Sequence, residues 1–259
     1  MDYFEKIESA PSNDLAWNIP ERKQGTVNII GGNAQSFRTE IKIAEFLTNN
    51  YPIENINIVL PDALKSKLPP LPNFIFVPST DAGSFAESQA LIDAPSSADF
   101  TIILGDLSKN SITKKAISSA CKSSEKPLLI TRDTVEVVTD YQPDRILMNE
   151  NLITMASMPQ LQKLLKSVYY PKMLLLSQSL VQVAETLHKF TLSYPAKIIT
   201  LHNEQILIAK NGQVKALPLA KTSYSPLTFW QGELAAKIAA LNLYNPNHFI
   251  DATVTAIFS

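Results

Sequence analysis

Short apolar runs alternate with amphipathic stretches along most of this chain. Between the runs, four stretches carry apolar residues at helical spacings of three and four: 84–92, 112–123, 158–168 and 179–192. The apolar runs have the length of buried strands: 56–60, 74–77, 100–104, 127–130, 145–148, 172–176 and 198–201. Runs that are apolar on both faces and separated by helices are typical of a parallel sheet covered on both sides. The pattern therefore predicts an α/β fold.

The pattern changes near the C-terminus. Segments 205–209 and 213–217 flank Lys210-Asn211-Gly212, a tight polar connection with glycine where a left-handed residue fits. This arrangement predicts an antiparallel hairpin, followed by a loop and two helices over 231–243 and 248–258. We treat residues 1–25 as an N-terminal helix and arm, and residues 26–259 as a single domain.

A pair of glycines ends the first apolar run, which begins at Val27. Gly31 and Gly32 are two of only seven glycines in the 259 residues, and an amphipathic stretch follows them. A strand, a glycine turn and a helix can form a phosphate site, because the first free N–H groups of the helix point toward the turn. The same unit also serves as a plain corner between a strand and a helix. Both interpretations stay open at this point.

Composition excludes several classes of function. The formal net charge is −1, so no general field attracts nucleic acid or an anionic membrane, and we expect neither as a partner. No window approaches the roughly 20 apolar residues that span a bilayer. The first residues also lack the order of a signal peptide, so we expect a cytoplasmic location. The single cysteine, Cys121, excludes an internal disulfide and falls in a helical pattern that predicts burial.

Several common catalytic patterns are absent from the sequence. It contains no P-loop, no dinucleotide-binding Gly-x-Gly-x-x-Gly and no Gly-x-Ser-x-Gly. The three histidines, His188, His202 and His248, stand apart from one another and from carboxylates at ligand spacing. We therefore expect no metal site built from them.

Three segments at strand ends carry the candidate chemistry. They are Gly31-Gly32-Asn33, Gly105-Asp106 and Thr131-Arg132-Asp133, each directly after an apolar run. Ligands of open parallel sheets bind outside the carboxyl ends of the strands, so we expect the three segments to share one edge. Asp106 and Asp133 are the best candidates for a metal or polar ligand, and the alternative is that they only cap or solvate loops.

The order of these segments resembles a known family. Val-Asn-Ile-Ile-Gly-Gly-Asn, Ile-Ile-Leu-Gly-Asp-Leu, Lys-Pro-Leu-Leu-Ile-Thr-Arg-Asp, Ile-Ile-Thr-Leu-His and Gly-Glu-Leu-Ala-Ala-Lys-Ile-Ala-Ala-Leu occur in this order over about residues 25–258. The chain is similar in this to the NAD(P)H-hydrate dehydratase branch of the ribokinase-like fold. The resemblance implies a mostly parallel sheet covered by helices, and a homo-oligomer that uses ATP or ADP with Mg²⁺ to dehydrate damaged, hydrated nicotinamide cofactors.

The resemblance also assigns residues to a site. Gly31 and Gly32 match the family's first Gly-Gly turn, Gly105 the first glycine of its Gly-Pro-Gly segment, and Asp133 the acid that ends its central strand. The same resemblance adds five further positions to the expected substrate or nucleotide pocket: Asn149, Glu150, His202, Gln231 and Gly232.

The departures from the family are concentrated at its nucleotide site. Where the family has Gly-Thr-Gly-Asp, with an anion hole and a catalytic Asp, this chain has Phe229-Trp230-Gln231-Gly232. Glu233 replaces the missing acid only if the helix start shifts by one residue. The family's Thr-Pro-His turn is replaced by Met148-Asn149-Glu150, and its Lys-Gly by His202-Asn203. The two aromatic residues either fill the former nucleotide cleft or stack on a base, and filling is the favoured interpretation.

Three functional hypotheses remain. The first is a divergent dehydratase or small-molecule kinase that uses ATP or ADP with Mg²⁺. The second is a catalytically inactive binding or scaffold protein that needs no cofactor. The third is an unrelated doubly wound binding domain, which a sheet without the terminal hairpin would favour.

Overall fold

The computed structural model describes residues 2–9 and 15–259, with the backbone alone for residues 16 and 17. Ten strands lie in the described residues. In chain order they are β1 (Phe4–Lys6), β2 (Thr26–Gly31), β3 (Asn55–Pro61), β4 (Phe74–Val77), β5 (Phe100–Gly105), β6 (Leu128–Thr131), β7 (Leu152–Met155), β8 (Lys197–His202), β9 (Gln205–Lys210) and β10 (Gln213–Pro218). They form one sheet in the order β1-β10-β9-β8-β7-β6-β5-β2-β3-β4.

Nine α-helices lie in the same part of the chain. They are α1 (Arg38–Asn50), α2 (Gln89–Asp93), α3 (Ser111–Ser123), α4 (Asp133–Thr139), α5 (Pro143–Leu147), α6 (Met158–Ser167), α7 (Leu180–Ser193), α8 (Glu233–Tyr244) and α9 (Phe249–Phe258). No helix of the described residues has the length and apolar character needed to cross a bilayer.

The strand order places a topological switch point between β2 and β5. All neighbouring strands are parallel except β9, which is antiparallel to both β8 and β10. From β2 the chain moves outward to β3 and β4, then returns to β5 on the other side of β2. The connections after β2 and β5 therefore pass to opposite faces of the sheet. Open α/β sheets bind their ligands at such a switch point, and we call the carboxyl ends of these two strands the crevice.

Helices cover both faces of the sheet, and each face has its own core. Helices α1, α8 and α9 pack on one face, where Ile29 of β2 is buried. Helices α2 to α7 cover the other face, where the next residue, Ile30, is buried. Cys121 is fully buried in this second core, as the sequence predicts, and burial raises the pKa of its thiol to about 12.

Most predicted elements are confirmed, including the mostly parallel sheet and the β9–β10 hairpin. Two predicted strands are wrong. Residues 145–148 fall in and directly after α5, which begins with Pro143 in its first turn and buries Ile146 and Leu147. Residues 172–176 form a loop in which only Leu174 is buried. A run of four or five apolar residues cannot by itself separate a strand from one helical turn or a surface loop.

The predicted N-terminal helix is also corrected. Residues 4–6 form a strand parallel to β10, since Tyr3 accepts a hydrogen bond from Val214 N (2.7 Å) and Ile7 donates one to Ala216 O (2.8 Å). A short 3-10 helix follows at Leu15–Asn18, and residues 1 and 10–14 lie outside the described residues. The free edge of β10 offers backbone partners that an isolated helix would lack. The domain boundary at residue 26 stays a prediction.

Candidate functional site

The loops after β2 and β5 are bonded to each other across the switch point. The Gly32 amide donates to Gly105 O at 2.9 Å, and Asn33 Nδ2 donates to Asp106 O at 2.6 Å. Asn33 also accepts from the amide of Gln35 through its Oδ1 at 2.8 Å, which fixes its side chain in the turn. The first two strand-end segments therefore lie side by side, as the sequence predicts.

Asp133 brings the third segment to the same edge. It begins α4 directly after β6, and its Oδ1 and Oδ2 accept from the amides of Asp106 (3.0 Å) and Leu107 (2.9 Å). Burial raises the pKa of Asp133, and the two amide hydrogen bonds oppose that rise. A Cβ at Gly105, whose φ is +122°, would lie 1.9 Å from Asp133 Oδ1, so glycine is required there.

An ion pair lies at the mouth of this crevice. Arg132 Nη2 is 3.0 Å from Asp106 Oδ1, and Thr39 Oγ1 of α1 donates to Asp106 Oδ2 at 3.0 Å. The side chains of Arg132 and Asp106 remain 29% and 16% exposed, so a ligand in the crevice can reach both. We call the group of Glu40, Asp106, Arg132 and Asp133 the crevice cluster.

The backbone is strained at both members of the ion pair. Arg132 has φ 55° and ψ −134°, and Asp106 has φ 55°, which side-chain-bearing residues rarely adopt. A hydrogen bond from Gln160 Nε2 to Arg132 O (2.7 Å) helps to hold the turn. Strain of this kind costs about 1 to 3 kcal/mol per residue and is concentrated at functional sites.

Glu40 is the member of the cluster that the sequence analysis missed. It lies in the first turn of α1, is fully buried, and neither carboxyl oxygen has a hydrogen-bond partner elsewhere in the described residues. A Cβ at Gly31 would lie 2.3 Å from Glu40 Oε1, so the absence of a side chain there makes room for the carboxyl group. A signal existed, because Glu40 lies on the apolar side of the helix, three residues before the buried Ile43.

Burial raises the pKa of Glu40 to about 8, with smaller contributions from the charges of Asp106 and Asp133, while Arg132 opposes the rise. The carboxyl group is therefore mainly neutral at pH 7. A neutral buried acid near a partly exposed Arg can donate a proton or a hydrogen bond to a ligand while the Arg holds an anionic group.

The entrance to α8 has a different character. Phe229 is fully buried there, and its ring meets Trp230 edge to face at 4.7 Å. Gly232 has φ +98°, and a Cβ on it would meet Leu104 Cδ2 at 3.2 Å and Ile43 Cδ1 at 3.3 Å. The side of Gly232 on which a Cβ would lie is therefore occupied by apolar side chains. Phe229 is therefore part of the apolar core on this face of the sheet, and its filling of a former nucleotide cleft stays a prediction.

Comparisons with known proteins give the fold. No protein-family profile matches the chain, and no curated protein sequence matches it. A ribokinase-like superfamily protein from Enterococcus faecalis V583 superposes with a TM-score of 0.63 at 14% identity, covering 100% of this chain and 86% of that one. The ADP/ATP-dependent NAD(P)H-hydrate dehydratase of Bacillus subtilis gives 0.57 at 12% identity, covering 94% and 83%. A hydroxyethylthiazole kinase protein from Pyrococcus horikoshii OT3 gives 0.57 at 12% identity, covering 94% and 79%.

The fold is ribokinase-like. Identities this low establish the architecture and leave the activity to the residues of this chain. The sheet and terminal hairpin of the ribokinase-like fold were both predicted from the sequence, and they exclude the unrelated doubly wound alternative.

Five residues of the predicted pocket do not join the crevice cluster. Asn149 and Glu150 precede β7 and thus lie at the amino ends of the strands, at the opposite end of the sheet from the crevice. Asn149 Nδ2 donates to Ser124 O at 2.9 Å, and the carbonyl of Glu150 accepts from Lys197. The sequence analysis placed them after a strand at 145–148, whereas the structure has α5 there.

His202 and the residues around Gly232 occupy other places. His202 is buried at the carboxyl end of β8, with β7 and β6 between it and β5, and its Nε2 is 2.8 Å from Gln178 O. Gln231 and Glu233 are exposed. The charge of Glu233 helps to raise the pKa of Tyr51, whereas it does not figure among the charges that act on Glu40.

The donor set is not that of a metal centre. Within residues 2–9 and 15–259, no group of three or more His, Cys, Asp or Glu side chains could hold a metal ion. Asp106 and Asp133 are instead engaged by Arg132 and by backbone amides. The crevice can therefore offer hydrogen bonds, a guanidinium and a neutral carboxylic acid to a ligand.

Proposed function

We propose that this chain is a small-molecule-binding protein of the ribokinase-like fold, descended from a dehydratase-like ancestor and without ATP-dependent turnover. Its ligand site is the crevice between β2 and β5. The observation that carries the proposal is the contrast between a polar, strained crevice and an apolar α8 entrance.

The α8 entrance does not fit a nucleotide phosphate. Phosphate groups at helix N-termini need free amides and a close backbone approach, which glycines supply. Phe229 is buried where the family has a glycine, and the side-chain-free face of Gly232 is against Ile43 and Leu104. The position of the family's catalytic Asp is taken by Gly232, and Glu233, the first residue of α8, is exposed. ATP-dependent chemistry therefore has no support in this region.

The crevice fits a small polar ligand. It lies at a topological switch point, the usual ligand position in open α/β sheets. The guanidinium of Arg132 suits an anionic group, and the buried Glu40 suits a hydroxyl or amide. One of the structural neighbours is an NAD(P)H-hydrate dehydratase, so we propose a nicotinamide nucleotide as the ligand class.

Calorimetric titration tests this proposal. We expect NADH or its hydrate to bind without Mg²⁺ and ATP, and Arg132→Lys to weaken binding about tenfold because the planar fork is lost. Arg145→Lys, at the exposed end of α5, is the matched control and leaves binding unchanged. Failure of both nicotinamide forms to bind would overturn the ligand assignment. Tight binding of ATP with Mg²⁺ would overturn the assignment of the α8 entrance.

A second candidate function is dehydration itself, which the buried Glu40 favours. Loss of water from a hydrated nicotinamide breaks a C–O bond and a C–H bond on the neighbouring carbon. A neutral carboxylic acid can donate the proton that the departing hydroxyl needs, and the carboxylate so formed can take up the proton from carbon, which regenerates the acid. Glu40 is mainly in this neutral form at pH 7. Chromatography of hydrated NADH, with and without ATP or ADP and Mg²⁺, measures turnover. Activity that falls as pH rises through about 8 and is lost in Glu40→Gln but not in Glu45→Gln would support the enzyme. No loss of hydrate would support the binding protein.

A further inference from the structure

A group of exposed apolar side chains lies apart from both regions, beside the carboxyl ends of α6 and α7. Two open clefts of about 680 and 540 Å³ share Tyr169 and Tyr170. The first cleft also contains Met148 and Leu192, and the second contains Met173. We call Met148, Tyr169, Met173 and Leu192 the Tyr169 patch. Tyr169 is 94% exposed and the other three are 58 to 64% exposed, which is unusual for a contiguous group.

The backbone holds these side chains outward. Tyr169 has φ 53°, a left-handed conformation that costs energy for a residue with a side chain. The adjacent Tyr170 packs edge to face on Phe190 with ring centroids 5.1 Å apart. Leu174 is buried, and Gln178 Oε1 accepts from the Leu175 amide at 2.9 Å. The loop is therefore anchored on both sides of Met173, and its exposed side chains are fixed in place.

Positive charge surrounds the Tyr169 patch. Four lysines line the two clefts, and no aspartate or glutamate lines them: Lys163, Lys166, Lys172 and Lys189. Glu185 pairs with Lys172 (2.9 Å) and Lys189 (2.7 Å). Among the described residues, no carboxylate lies within ion-pair distance of Lys163 or Lys166. The net charge of −1 for the whole chain thus conceals a local excess of positive charge.

The exposed apolar side chains and the surrounding lysines together indicate what binds the Tyr169 patch. A two-fold contact between copies of this chain would bring the lysines of one patch against those of the other, which is repulsive. A protein partner would have to present both an apolar recess for Tyr169, the most exposed of these side chains, and an acidic rim for the lysines. A bilayer with anionic headgroups complements both features, because Tyr, Met and Leu enter the headgroup boundary and lysines reach the phosphates.

We propose that the Tyr169 patch docks this protein on an anionic membrane surface. The expectation of no membrane partner rested on the overall charge and on the absence of a spanning segment, and neither tests peripheral docking. The crevice and the α8 entrance take no part in this contact, so the proposal is independent of the ligand.

Vesicle flotation of the full chain tests the proposal. We expect binding to phosphatidylcholine vesicles that contain phosphatidylserine, weakened by salt, and little binding to phosphatidylcholine alone. Tyr169→Ser/Met173→Ser and, separately, Lys163→Gln/Lys166→Gln should each weaken binding about tenfold or more. Ile112→Ser, which changes an apolar residue on α3 that is 54% exposed, is the matched control and should bind like the unaltered chain. Circular dichroism confirms that each variant is folded.

Three results would overturn the proposal. The first is no binding of the unaltered chain to the phosphatidylserine vesicles. The second is equal binding by Tyr169→Ser/Met173→Ser. The third comes from light scattering of the purified chain. If the unaltered chain is an oligomer and Tyr169→Ser/Met173→Ser is a monomer, a second copy of the chain covers the patch.

Discussion

The crevice between β2 and β5 and the entrance to α8 share a backbone feature, but the first is lined by polar groups and the second by apolar side chains. Each has a glycine with positive φ beside the start of a helix, Gly105 in the crevice and Gly232 at α8. The open face of Gly105 meets the carboxylate of Asp133, whereas that of Gly232 meets Leu104 and Ile43. A glycine at a strand or helix end therefore does not identify a phosphate site, because its surroundings decide what the free space admits.

The two regions also contribute differently to the free energy of folding. At the α8 entrance, burial of Phe229 removes apolar surface from water and stabilises the fold. In the crevice, strained backbone at Asp106 and Arg132 and an unpartnered Glu40 each cost free energy. These costs, with an ordinary core beside them, support our proposal that the ligand binds in the crevice.

Truncation of Phe229 tests the core role of the α8 entrance and should have the largest effect. Phe229→Ala leaves a cavity between α8 and the sheet, and we expect a loss of about 3 to 5 kcal/mol in the free energy of unfolding, measured with urea. Trp230→Ala, next to it and only partly buried, should cost less. If Phe229→Ala costs under about 1 kcal/mol, the entrance is a loose surface and the contrast fails.

The two glycines themselves allow a direct comparison. Both substitutions by alanine force a side chain into positive φ, but only Gly105→Ala also drives Cβ into Asp133. We expect Gly105→Ala to cost about 3 kcal/mol and Gly232→Ala about 1 to 2 kcal/mol, by the same denaturation measurement. In an Asp133→Ala background the cost of Gly105→Ala should fall toward that of Gly232→Ala. Equal costs in both backgrounds would contradict the close approach of the carboxylate.

Local patterns explain which parts of the crevice were predictable. The strand end at Gly105 and the acid at Asp133 follow apolar runs, and the parallel sheet brings their carboxyl ends to one edge. Helical spacing places Glu40 on the apolar side of α1, but it does not show that the carboxyl group is fully buried. Its burial depends on Gly31, a residue in another element, and a sequence pattern shows only an acid in an amphipathic helix.

The errors also have a physical origin. Residues 145–148 form an apolar run that predicts a strand, but 145–147 lie in the helix that begins at Pro143 and Met148 follows it. Because of that predicted strand, Asn149 and Glu150 were expected at the carboxyl ends of the strands, whereas they lie at the amino ends. The filling of the α8 entrance was predictable from Phe229, because a bulky aromatic residue at a helix start usually buries apolar area.

A titration of stability tests Glu40. Its pKa is about 8 in the folded chain and about 4.5 when unfolded, so folding disfavours its ionised form. Its contribution is therefore fully present below about pH 4.5 and is lost as pH rises through 8. We expect the free energy of unfolding to fall by about 2 kcal/mol or more between pH 5 and pH 8.

Two variants separate Glu40 from other groups. Glu40→Gln should remove most of this fall, and the raised pKa of Asp133 accounts for a remainder with the same sign. Glu45→Gln, on the exposed side of the same helix, should keep the full dependence. An unchanged pH profile in Glu40→Gln would show that the carboxyl group is hydrated in solution, and the crevice would then be an open surface feature.

The smallest expected effect isolates the backbone strain in the crevice. Glycine normally destabilises a position relative to alanine, but at Arg132 the observed φ of 55° and ψ of −134° suit glycine alone. Both Arg132→Gly and Arg132→Ala lose the ion pair to Asp106, so the difference between them reports the conformation. We expect Arg132→Gly to be the more stable by about 1 kcal/mol in urea denaturation.

At Lys42, an exposed helical position in α1, the same pair of substitutions should give the opposite order, with alanine more stable by about 1 kcal/mol. If alanine is also the more stable at Arg132, the turn relaxes in solution, and the crevice then lacks the stored strain that distinguishes it from the α8 entrance.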